Sequence, residues 1–212
     1  MTYTHYSQLY DGWKRVMLGE SSTNIGQYGC LLCALASGLT DVGARIDGLP
    51  PDPSRLNRWL TRNGGFAAPE DAPGERNLVV FSALTPLGVR LVDYVDCRKM
   101  AAPIGRIREA LLEESQFAII EVDFKPGDEH NQHWVRAVEW FESDIKIMDP
   151  WMIDVDHEAY LMTRYAAPAW DNPARAVFRI AVYRYDPGAV PFGIPGVEEI
   201  SVVQEYLCPY QP

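Results

Sequence analysis

The chain has 212 residues, 47% of them hydrophobic and 23% charged, with a formal net charge of −10. That length suits one domain with an appendage and is enough to bury a sizeable core. An acidic surface repels phosphates and anionic lipid, which argues against a nucleic-acid or membrane-surface partner, and no apolar run reaches the roughly 18 residues of a membrane span.

The opening "MTYTHYSQLYDGWK" has no basic stretch followed by an apolar run, so no signal peptide is expected. Synthesis in the cytoplasm is the expectation, with release or virion association left open. Up to Gly29 the chain is polar and aromatic, with glycines at 12, 19, 26 and 29, and reads as an irregular arm. "LLCALASGL" (31–39) is apolar almost all round, the mark of a buried helix, and is expected to end near Gly38 and Gly43. "DPSRLNRWLTRNGGF" predicts an amphipathic helix capped by Asp52 or Ser54, with Leu56, Trp59 and Leu60 on one face and Gly64-Gly65 as its stop. "APIGRIREALLEE" predicts a third. Strands come next: "FAIIEVDF" (117–124), "HWVRAVEW" (133–140), "DIKIMD" (144–149) after a tight Glu142-Ser143 turn, and "AVFRIAVYRYD" (176–186). Helices first and then a mostly antiparallel sheet is an α+β pattern. After Pro187 a proline-punctuated tail, 187–212, is expected to be an extended segment beside a domain spanning 1–186.

Cys30, Cys33, Cys97 and Cys208 are scattered along a long chain, which argues against a disulfide framework. Cys30 and Cys33 have zinc-knuckle spacing, but Cys97 and Cys208 come singly, so no metal is expected. A redox pair would follow a strand in a βαβ unit, and a glycine-rich arm precedes this one. Cys33, among Leu32, Leu35 and Ala36, reads as core. Cys30 stands at the helix start, where unpaired backbone N–H groups and the dipole favour a thiolate, and Gly29 before it allows close backbone approach.

A thiolate nucleophile needs a base. His5 lies in the arm and His157 in a polar loop, while His130 and His133 flank the start of the alternating strand. His133 opens that strand, and Asp149 ends the next. In an antiparallel hairpin the start of one strand lies beside the end of its partner, so His133 and Asp149 should be neighbours. Cys30, His133 and Asp149 thus form a Cys-His-Asp arrangement, the aspartate fixing the imidazole tautomer.

"YSQLYDGWKRVMLGESSTNIGQYGCLLCALAS", "LNRWLTRNGGF" and "HWVRAVEWFESDIKIMDPW", in that order over residues 6 to 151, resemble papain-like cysteine peptidases of the bacteriocin-processing type, specifically their stand-alone relatives. The resemblance implies a papain-like fold, Cys30 as nucleophile, His133 as base and Asp149 as its orienting partner. It implies an upstream glutamine as oxyanion donor: Gln8 is favoured, and Gln27, nearer in sequence, is the alternative. Gln27, Tyr28, Gly29 and Trp134 are the candidate substrate-binding residues. Cys33 stands where the family usually has Thr, Ala or Ser, and Gln8 lies farther upstream than the glutamine of the leader peptidases. The activity implied is cleavage of a peptide or amide bond through a thioester without a cofactor, with a peptidoglycan-like peptide as substrate by analogy. Leader processing is less expected, because the family's transport peptidases are fused to membrane spans and an ATPase. The alternative is a catalytically quiet binding module on the same fold. Trp13, Trp134, Trp140, Trp151, Trp170 and Tyr28 could line a cleft in either case, though such aromatics are more often core.

Overall fold

The computed structural model describes residues 3–126, 130–153 and 159–188. His157, Cys208 and the tail beyond Gly188 lie outside the described residues. In chain order the elements are α1 (Ile25–Tyr28), α2 (Cys30–Asp41), α3 (Pro53–Arg62), β1 (Phe66–Ala67), β2 (Leu78–Val79), a 3-10 turn (Phe81–Leu87) and β3 (Val89–Asp96). After these come α4 (Ile104–Leu111), β4 (Gln116–Asp123), β5 (Gln132–Phe141), β6 (Asp144–Met148), β7 (Ala159–Tyr160), α5 (Leu161–Tyr165) and β8 (Arg179–Tyr185). Six strands form one sheet in the order β3-β8-β4-β5-β6-β7, every described pair antiparallel. The fold is α+β, as the order of the sequence patterns implies.

The period of two along a strand divides the core between two faces of this sheet. On β4, Phe117 and Ile119 join α2 in one apolar cluster, while Ala118, Ile120 and Val122 join Ile107 and Ala110 of α4 in the other. Ala181 and Tyr183 on β8 divide from Ile180 and Val182 in the same way. A strand buried on both faces has no solvent side to show, hence the apolar run "FAII", with the buried Glu121 the charged residue that interrupts it before Val122.

Helix α2 begins one residue earlier and runs two residues longer than its apolar run suggests. Gly38 does not stop it: a Cβ there would stand 2.3 Å from Cδ2 of Phe117, so the glycine lets helix and sheet close together. The turn comes at Gly43, with φ of +84°. The arm before Cys30 is not wholly irregular either, since Asn24 caps α1 by accepting from the Gln27 N–H. In α3, Asp52 is the cap, accepting from Arg55 N at 2.8 Å. Pro53 opens this helix and Gly64, at φ +67°, stands just past its end. Strand β3 is not foreshadowed by the sequence pattern. Its register slips between Leu91 and Asp93, and that bulge breaks the alternation by which an edge strand is recognised.

The arm is tied both to α2 and to the segment just past β6. Ser37 Oγ donates to Thr4 O at 2.6 Å, and Thr4 N donates to Asp41, at the far end of α2. Gln8 N donates to Pro150 O at 2.8 Å. Trp13 packs against Tyr6 and Tyr10 and donates its indole N–H to Ser7 O.

Candidate active site

Gly29 links α1 to α2; a Cβ there would lie 2.5 Å from Ile25 O, so the joint closes tightly only with glycine. It sets Cys30 as the first residue of α2, with 0% of its surface exposed. His133 is the second residue of β5, and Asp149 comes directly after β6. The hairpin between these strands turns at Glu142, at φ +51°, and pairs Arg136 with Met148. His133 and Asp149 therefore meet where the ladder ends, Nε2 to Oδ1 at 2.9 Å. His133 is also hydrogen-bonded to Cys30, which leaves its Nδ1 to face the sulfur.

The Asp149 carboxylate is held at both oxygens. Oδ1 accepts from His133 and from Trp151 N at 2.9 Å. Oδ2 accepts from the Tyr165 hydroxyl at 2.6 Å and pairs with Arg164 Nε at 2.7 Å. The main-chain carbonyl of Asp149 accepts from His5 Nε2 at 3.0 Å.

This network decides the charges. Burial pulls His133 downward, but the bonds to Asp149 and then to Cys30 outweigh it and raise its pKa to about 9. Burial pushes Asp149 upward, and the His133 bond, with Arg164 and Tyr165 behind it, holds it down at about 2. At neutral pH both are charged. Burial, and then the charge on Cys30, drives Cys33 well above the ordinary thiol range, while Cys97, also desolvated, rises to about 11. Such an arrangement can hold a sulfur beside a proton donor of fixed orientation, the requirement for nucleophilic attack on a carbonyl.

Gln8 is 1% exposed, and its Nε2 donates to Gly26 O at 2.9 Å, so the arm places this amide between the segments that lead to Cys30 and away from Asp149. Its Oε1 is buried without a hydrogen-bond partner. Gln27 is exposed on α1, Tyr28 half-buried and Gly29 buried. Trp134 has 0% exposure, its ring lies 5.5 Å from that of Phe81, and it packs in the same apolar cluster as Cys30. Alternation along β5 turns it to the sheet face opposite that of His133, the face on which α2 packs. His130 belongs to a separate cluster, 2.6 Å from the buried Glu121, which also pairs with Arg179 at 2.9 Å and accepts from Gln132.

Sequence reasoning missed His5, Arg164 and Tyr165. "LMTRY" carries no motif, and only the fold puts residues 164 and 165 beside residue 149. Phe124 was missed too; its ring stands edge-on to His133 at 5.1 Å and to Trp151 at 5.4 Å. Among the described residues no group of three or more His, Cys, Asp or Glu is placed to hold a metal ion. No described helix is long and apolar enough to cross a membrane. A cavity of about 170 Å³ lined by Glu20, Thr61, Gly64, Phe66 and Arg76 shares no residue with the cluster around Cys30.

No protein-family model matches the chain, and no curated protein is significantly similar to it. Among solved structures it is similar to a Bacillus anthracis protein provisionally designated a C39-like peptidase, at 16% identity and a TM-score of 0.46, over 87% of this chain and 94% of that one. A likeness so distant leaves the chemistry to be read from the residues themselves.

Proposed function

We propose that the protein is a cysteine peptidase or amidase with a papain-like fold, of the bacteriocin-processing type, in which Cys30, His133 and Asp149 form the triad and Gln8 the oxyanion donor. One observation carries the reading: the continuous hydrogen-bonded path from Cys30 through His133 to Asp149. In the reaction, Cys30 Sγ bonds to the substrate carbonyl carbon as the C=O pair moves onto oxygen. One amide hydrogen of Gln8 is fixed on Gly26 O, and the other meets that oxyanion. His133 gives its proton to the amide nitrogen, the C–N bond breaks, and the amine leaves a thioester on Cys30. Water then gives a proton to His133 and adds to the thioester. The C–S bond breaks, and acid, thiolate and imidazolium are regenerated. A peptidoglycan-like peptide is the proposed substrate class, by analogy alone.

A second reading, a binding module without turnover, is favoured by the complete burial of Cys30. Two measurements separate the readings. Limiting iodoacetamide near pH 7, followed by peptide mapping, should label Cys30 ahead of Cys33, Cys97 and Cys208. Cleavage of purified peptidoglycan stem peptides, followed by mass spectrometry, should fall about a hundred- to a thousandfold in Gln8→Ala with Cys30 labelling intact, and much less in Gln27→Ala. Equal labelling of all four cysteines would sink the peptidase reading, and the reverse ranking of the glutamines would move the oxyanion donor to Gln27.

A further inference from the structure

The Asp149 carboxylate is fully buried, and a buried carboxylate short of donors takes up a proton rather than keep its charge. On Oδ1 the donors are His133 and a backbone N–H. On Oδ2 they are the side chains of two consecutive residues that close α5. This five-residue helix is anchored by Leu161 and Tyr165 in the apolar cluster beneath the sheet, so its last turn is fixed against residue 149. The Arg164 guanidinium lies over the Tyr165 ring, 5.4 Å from its centre, and the two donors support one another.

We propose that Tyr165 and Arg164 are positioning residues: together they fix Oδ2 of Asp149 so that Oδ1 stays charged and aimed at His133. The proposal rests on the peptidase reading and adds two residues to it that never touch the substrate. Every charged or titratable group facing Asp149 has a part in the balance. His133 comes from β5 with Cys30 of α2 behind it, His5 comes from the arm onto the carbonyl, and Arg164 and Tyr165 come from α5. Tyr165 keeps its hydroxyl proton, since burial and the Asp149 charge push its ionisation far upward; burial works against the Arg164 charge, but the same carboxylate outweighs it and holds Arg164 as a cation. Both remain donors across the accessible pH range. With two donors on Oδ2 the carboxylate cannot rotate, and the imidazole it orients keeps Nδ1 toward the sulfur.

Losing a donor to Oδ2 destabilises the carboxylate, so its protonation moves to higher pH, and with it the acid-side loss of Cys30 reactivity. Losing the Arg164 charge leaves the remaining Asp149 charge less neutralised, so His133 holds its proton at least as firmly on the alkaline side. A merely structural role would lower rates or stability at all pH values and leave the acid-side midpoint in place.

The test compares wild type, Tyr165→Phe, Arg164→Gln and Arg164→Lys, checked for native fold by near-ultraviolet circular dichroism. The iodoacetamide rate at Cys30 and the ring resonance of His133 are followed from acid to neutral pH. Expected are acid-side midpoints raised by about one pH unit in Tyr165→Phe and in Arg164→Gln. Arg164→Lys, which keeps the charge, should return to near the wild-type midpoint. Stem-peptide turnover should fall about ten- to a hundredfold in the first two, since a catalytic group displaced by about 1 Å can cost about a hundredfold. Wild-type midpoints in folded Tyr165→Phe and Arg164→Gln would overturn the positioning role and leave the peptidase reading standing. A wild-type Cys30 that iodoacetamide does not prefer would overturn both.

Discussion

Cys30, Cys33 and Cys97 are all buried and differ in their company. Cys33 is enclosed by its own helix and the sheet, and Cys97 stands at the end of β3 with its sulfur near Val95 O at 3.7 Å. Neither has a base, and desolvation drives both thiols up. The labelling order expected of the cysteines is therefore a contrast of environment rather than of exposure. His133 and Asp149 also give a pH signature. The folded pKa of His133, about 9, lies above the ordinary histidine value of 6.5. Its contribution to stability is full below the ordinary value and is lost as pH rises through about 9. Asp149, held at about 2 against an ordinary value of 3.8, contributes stability above the latter that disappears as pH falls through the former. A thermal midpoint recorded by calorimetry should thus be highest from about pH 4 to about 6.5 and decline toward pH 9. In Asp149→Asn that alkaline decline should shrink; an unchanged slope would show that the pair does not set it.

At the level of elements, α2 is the centre of the apolar cluster on one face of the sheet, and its tightest point is Gly38. Alanine there gains up to about 1 kcal/mol in helix propensity but drives a methyl into Phe117. Overpacking of this kind costs about 1–3 kcal/mol, so Gly38→Ala should lower the urea midpoint, and adding Phe117→Leu should recover part of the loss. A Gly38→Ala midpoint equal to wild type would mean that the helix can move off β4. The same glycine shows where sequence reading runs out. A glycine near the end of an apolar run reads as a stop, and only the facing strand shows that it is a point of close approach. Helix α3 was legible because Asp52, Pro53 and Gly64 state its limits locally, and β4 through β6 because their patterns are long and unbroken. Strand β3 was not, because its bulge at Val92 changes the alternation halfway, and α1 was not, because four residues are too few to show a period.

For the whole molecule, the site is a meeting of α2, β5, the end of β6, α5 and the arm. That Cys30, His133 and Asp149 lie together could be read from the chain because each stands at the boundary of an element, where pairing rules say what comes near. His5, Arg164 and Tyr165 could not, since nothing local connects them with residue 149. The arm has its own expected outcome. Removing residues 1–6 keeps Gln8 but deletes the bonds of Thr4 to Ser37 and Asp41, of Tyr6 to Thr40 and of His5 to the Asp149 carbonyl. At about 1 kcal/mol for each net hydrogen bond, the loss should be about 2–4 kcal/mol by chemical denaturation, with slower labelling of Cys30. Full stability in the truncated protein would reduce the arm to a carrier of Gln8.

The bond from Ser7 to Pro150 O joins positions 143 apart in the chain, and that from His5 to Asp149 O joins positions 144 apart. Such closures cost chain entropy that is recovered only when the distant partner exists. During translation the thiol of residue 30 is made early, long before its imidazole, its carboxylate or the carbonyl that seats the arm. A growing polypeptide therefore carries this cysteine before the histidine and aspartate that it meets in the fold, and the cluster can close only once residue 150 has been made.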